Sequence, residues 1–140
     1  MKRSELKKLT AMRLEDARML LDSRRYPACY YLAGYAVECA LKACIAKQFR
    51  ANTIPTRKLV NSIYKYGHDL DKLVGVAELR QTLEQERDAS PDFEANWNVV
   101  KDWKSDRRYQ LGATRQDAQD LCDAINDPIH GVLQWLHRHW

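Results

Sequence analysis

Turn formers are scarce in this chain of 140 residues. Five Gly and four Pro are too few for a β-sandwich, which needs a turn roughly every eight to twelve residues. No apolar run reaches the roughly eighteen residues of a membrane-spanning helix. The N-terminus reads Met1-Lys2-Arg3-Ser4-Glu5 and passes straight into an amphipathic pattern. It lacks the compact apolar core and small-residue cleavage site of a secretory signal, so the expected location is cytoplasmic. The four cysteines, Cys29, Cys39, Cys44 and Cys122, include no Cys-x-x-Cys pair; three sit in one apolar segment, and all are read as reduced core residues. There is no phosphate-binding glycine loop, no Gly-x-Ser-x-Gly elbow and no Cys-His pairing of recognisable spacing. His130, His137 and His139, separated by seven and two residues, do not have the spacing of a helical zinc pair, so neither a metal nor a cofactor is expected.

What is present describes one soluble domain over residues 1–140: 45% hydrophobic and 30% charged residues, with enough length for a single core. The net charge of +4 is unevenly placed. Counting Lys and Arg against Asp and Glu gives +6 over residues 1–50, +2 over 51–75, −4 over 76–100 and zero over 101–140. A basic first half admits an anionic partner, either nucleic acid or an acidic protein.

The apolar periodicity is helical throughout, with no useful stretch of strand-like alternation. From Ser4 as N-cap, Leu6, Leu9, Ala17, Leu20 and Leu21 form a stripe, with Thr10 and Arg13 inside it, predicting a helix over roughly 5–22. Pro27 suits the first turn of a second helix reaching about Phe49. That helix carries no charge from Ala28 to Val37 and is rich in Ala, Cys and Gly34, the composition of a helix enclosed by others. Leu59, Ile63 and Tyr66 predict a short helix stopped at Gly67, and Asp69, Leu70 and Leu73 resume the pattern. Val76, Leu79 and Leu83 mark another short helix, and Ser90-Pro91 supplies N-cap and first-turn proline for a helix bearing Phe93, Trp97, Val100 and Trp103. A last stripe, Ala118 to Leu136, should kink or restart near Asp127 because of Pro128. The expected fold is an all-α, up-and-down helical bundle with a hydrophobic central helix and short additional helices.

Three groups of residues could carry chemistry. Glu38, alone in an apolar helix, needs a partner, because an unpaired buried carboxylate costs several kcal/mol. Arg13 could supply an ion pair across a helical hairpin, or Lys42 could do so along the same helix. His68, beside Asp69, could be a general base oriented by a carboxylate or the cap of the next helix. Lys101, Lys104, Arg107, Arg108 and Tyr109 form a basic segment with a stacking face, suited to phosphate and base but also to a helix C-terminus. Tyr30, Tyr31, Trp135 and Trp140 offer aromatic surface that a dimer could cover.

The run Tyr26-Pro27-Ala28-Cys29-Tyr30-Tyr31-Leu32-Ala33-Gly34-Tyr35-Ala36-Val37-Glu38-Cys39-Ala40-Leu41-Lys42-Ala43, followed by Gly67-His68-Asp69-Leu70 and later Arg107-Arg108-Tyr109, resembles the HEPN family over most of the chain. The resemblance implies a compact helical bundle, often a homodimer. It also implies a place in toxin–antitoxin, antiviral or nucleotidyltransferase-associated systems, with a nucleotidyltransferase or other operon product as possible partner. Many members are metal-independent RNases that use an Arg, four to six intervening residues and a His. This chain departs from that pattern: Asn61, Ser62 and Ile63 stand at the Arg positions before His68, and Asp123, Ala124 and Ile125 before His130. The corresponding positions before His137 and His139 also lack Arg.

The resemblance therefore implies the fold, with no catalytic residues carried over. Glu38, His68, Lys104, Arg107, Arg108 and Tyr109 are the candidate residues for nucleotide or RNA, and Arg13 and Glu38 the candidate structural ion pair. The leading expectation is a non-catalytic bundle that binds nucleotide, RNA or a partner protein. One alternative is a metal-independent endoribonuclease with a noncontiguous pair, His68 and Arg108; another is a structural dimerisation or adaptor bundle.

Overall fold

A computed structural model describes residues 2–49, 57–104 and 112–140. Among the described residues there are eight helices and no strand: α1 (Arg3–Asp22), α2 (Tyr26–Ala46), α3 (Arg57–Tyr66), α4 (Leu70–Val76), α5 (Arg80–Ala89), α6 (Pro91–Lys101), α7 (Arg115–Asn126) and α8 (Val132–His137). None of the described helices is long and apolar enough to cross a membrane.

The first two helices form a hairpin closed by a tight C-terminal motif. Arg24 takes a left-handed conformation (φ 60°), which lets its N–H reach the Leu21 carbonyl and that of Arg25 reach the Leu20 carbonyl. Two carbonyls at the end of α1 are thereby satisfied. The same device recurs after α4, where Glu78 (φ 59°) directs its N–H to Gly75 and that of Leu79 to Val74.

As its composition requires, α2 is the axis of the bundle. It packs against α1, α4, α7 and α8, and Ala33, Ala36, Val37, Ala40, Leu41 and Ala43 are wholly buried. Gly34 is obligatory: a Cβ there would lie 2.1 Å from Cε2 of Trp103. The indole seats flat over the missing side chain and donates its Nε1–H to the Tyr30 carbonyl at 3.1 Å. Trp97, Trp135 and Phe93 fill the opposite end of the core, with tilted ring contacts of 5.7 and 6.5 Å centred on Trp135.

Several local expectations need correction. The cap of α1 is Lys2 rather than Ser4, because the Glu5 carboxylate reaches back to the Lys2 N–H at 2.7 Å. Val76 ends α4 and belongs to no helix with Leu83; the left-handed Glu78 separates the two. Tyr30 and Trp135 are core residues, unavailable as surface. At Pro128, by contrast, the expected restart is what occurs. Asp127 accepts the N–H groups of Ile129 and His130, and the turn so formed separates α7 from α8. All four cysteines are free and buried.

Candidate functional site

Glu38 sits in the middle of α2 with 1% of its surface exposed, yet its carboxylate is fully engaged. One turn further along the helix, the Lys42 ammonium lies 2.7 Å from Oε1. From the link between α3 and α4, Nδ1 of His68 lies 3.0 Å from Oε2. Arg13 takes no part in this cluster, since its guanidinium is bonded to Asp16, one turn away on its own helix, at 2.7 Å. The short-range Arg–Asp pairing is satisfied at the surface without desolvating a second charge, which is why it prevails over a reach across the hairpin.

The two residues that flank His68 place it. Gly67 stops α3 and permits a descent that a Cβ would obstruct, since it would lie 2.9 Å from the Ile63 carbonyl oxygen. Asp69 caps α4 by accepting the Lys72 N–H at 3.1 Å. Capping therefore falls to Asp69, and His68 between them is free to turn its ring onto Glu38. A carboxylate shared with an ammonium only accepts, so Nδ1 of His68 carries a hydrogen and a neutral ring presents the lone pair of Nε2 outward. The side chain is 68% exposed, which gives that nitrogen to solvent.

His68 opens onto a recess of about 300 Å³, whose wall is formed by Tyr64, Lys65 and Tyr66 at the end of α3, by Asp69, and by Lys104 just beyond α6. The Tyr66 ring is flanked by the ammonium groups of Lys65 and Lys72, 5.3 and 5.5 Å from its centroid, the geometry of cation–π attraction. Lys104 is delivered here by Trp103, its chain neighbour, locked over Gly34. Of the sequence-predicted residues, Glu38, His68 and Lys104 thus come together; Arg107, Arg108 and Tyr109 lie outside the described residues. Sequence reasoning missed Tyr64 and Lys65 in the recess wall. The one signal for them is the Tyr-Lys-Tyr run directly before Gly67-His68.

A larger cleft of about 490 Å³ runs between α1, α7 and α8. Its floor is apolar, and its rim charges have partners: Arg18 pairs with Glu15, and Asp123 accepts from the Gln119 amide. The histidine in its lining, His137, has its ring packed on Trp140 at 4.4 Å, whereas His68 is held by a carboxylate with its outer nitrogen toward solvent, so the smaller recess is the better candidate for chemistry.

The family model described as HEPN domain matches residues 10–127, a span that takes in the Glu38–His68 pair and Lys104. No similar curated protein and no similar solved structure was found.

Proposed function

Since this chain belongs to the HEPN family, whose members point to work on nucleotides or RNA, we propose that it binds the phosphate of an RNA or nucleotide, without cleaving it, at the recess beside His68. One observation carries the reading: a buried acid fixes the orientation of an exposed imidazole, whose outer nitrogen shares a recess with Lys104. On this reading Nε2 of His68, when protonated, and the Lys104 ammonium bind phosphate oxygens by charge-assisted hydrogen bonds. Arg107 and Arg108, three and four residues further on, extend the phosphate contacts, and Tyr109 adds a stacking face. The proposal extends to a cytoplasmic homodimer working with a nucleotidyltransferase or another product of a toxin–antitoxin or defence operon.

The test is fluorescence anisotropy with labelled RNA at two salt concentrations. Binding should weaken steeply as salt rises, because counterions are released from each neutralised phosphate. His68→Ala and Lys104→Ala should each weaken it, and Lys104→Ala should also flatten the salt slope by about one unit. Affinity that ignores both salt and these substitutions refutes the reading.

The same pair supports a second reading, RNA cleavage. A histidine whose Nδ1–H is held by a carboxylate, leaving Nε2 outward, is arranged to take up or release a proton, and Arg108 would then stabilise phosphate charge. Cleavage of RNA in the presence of a metal chelator, abolished by His68→Ala or Arg108→Ala, would replace the binding reading with this one.

A further inference from the structure

Tyr64 stands apart from the other aromatic side chains. At 85% exposure it is the barest large apolar residue among those described. The rings of Tyr31 and Tyr35 stack on one another at 6.2 Å, and Tyr66 is held between two ammonium groups. Among the described residues Tyr64 has no ring, cation or hydrogen-bond partner. With so little of its surface covered, neither fold stability nor burial accounts for an aromatic at this place. Its position does: it lines the same recess as His68 and Lys104.

We propose that Tyr64 is the stacking platform for an unpaired nucleobase, so that the recess takes single-stranded RNA in preference to duplex. The inference rests on the phosphate-binding reading above and adds to it the feature the ligand is selected by. A phosphate held at His68 and Lys104 brings the attached nucleotide beside the Tyr64 ring, and a base with a free π-face covers that ring at a gain typical of single-strand-binding proteins. Bases in a duplex have their faces covered by neighbouring pairs, and exposing one costs unstacking and unpairing. A recess of about 300 Å³ is at the small end of ligand sites, suited to a single nucleotide and too small for a helix. Lys65, in the recess wall, offers a charge that follows the backbone without reading sequence, so stacking here selects strandedness and tolerates any base.

The experiment compares a short fluorescein-labelled single-stranded RNA, the same RNA annealed to its complement, and a mononucleotide. The probes are titrated against the wild-type chain and against Tyr64→Ala and Tyr64→Phe. The single strand should bind more tightly than the duplex. Tyr64→Ala should raise its Kd by about tenfold to a hundredfold and leave the duplex value unchanged, while Tyr64→Phe, which keeps the ring, should retain wild-type affinity. Because the residue is 85% exposed, the melting temperature of Tyr64→Ala should match wild type within experimental scatter, so a lost affinity is not lost fold. Single-strand binding that is salt-sensitive and weakened by His68→Ala, yet indifferent to Tyr64→Ala, overturns this inference alone; so does a duplex bound as tightly as the single strand. Failure of the wild-type chain to bind any of the three probes overturns the phosphate-binding reading and this inference together.

Discussion

Gly34→Ala should be a severely destabilising single-methyl change. The added Cβ would stand 2.1–2.2 Å from three atoms of the Trp103 indole, and a fused ring in a fully buried site has no flexible end to give way. Relieving the overlap displaces the indole, at roughly 3 kcal/mol for overpacking of this severity. It also breaks the bond from Nε1 to the Tyr30 carbonyl, worth about 1 kcal/mol. Against this, alanine improves helix propensity by about 1 kcal/mol over glycine. The net loss is about 3 kcal/mol, which for a chain of this length lowers the melting temperature by roughly 10 °C. Gly75→Ala is the matched control, because a Cβ at that helical position meets nothing within 4 Å and should be neutral or stabilising by up to about 1 kcal/mol. Urea denaturation of the two variants measures the difference. Because Trp103 delivers Lys104 to the recess, Gly34→Ala should also weaken RNA binding where Gly75→Ala does not. Equal stability of the two variants would refute the account of α2 and of the placement of Lys104.

Lys42→Met strands the buried Glu38 with His68 alone and should cost about 2–4 kcal/mol; adding Glu38→Gln should recover at least half of that in a double-mutant cycle. Ser90→Ala removes the hydroxyl that accepts the Phe93 N–H at 3.1 Å, an N-cap worth about 1 kcal/mol, and should lower the melting temperature by roughly 3 °C. His137 and His139 both have pKa values held below the ordinary 6.5, first by burial and then by the nearby cations Lys7 and Arg138 respectively. The unfolded chain therefore binds more protons as the pH falls below that ordinary value. Their contribution to stability is complete above about pH 6.5 and is lost as the pH drops through the folded-state values. Melting curves at about pH 7.5 and pH 5.5 should show this loss, and His137→Gln combined with His139→Gln should shrink it.

The central helix was legible because its signal is local. Ten residues without charge and a succession of small side chains can be satisfied only by enclosure, and Ser90-Pro91 announces α6 by backbone chemistry alone. The break between α4 and α5 was not legible, since the left-handed position that ends α4 is held by Glu78 where a glycine would have marked it. At the site, the need of Glu38 for a partner could be read from its surroundings. Which partner could not: Lys42 is one turn away and readable, but His68 arrives from thirty positions along the chain through a descent set by Gly67 and Asp69. Tyr64 escaped notice for another reason. It lies off the Leu59, Ile63 and Tyr66 stripe, where a residue draws no attention until the fold shows it bare beside a recess.

The bundle is not equally firm on every side. Helix α2 is gripped by four neighbours, whereas α3 has only α4 as a substantial companion among the described helices, and that companion is itself just seven residues long. Amide protons of α3 should exchange with solvent well before those of α2. The wall of the recess that bears Tyr64 therefore stands on the helix with the fewest companions among those described, while the acid that steadies His68 is anchored in the buried axis of the bundle.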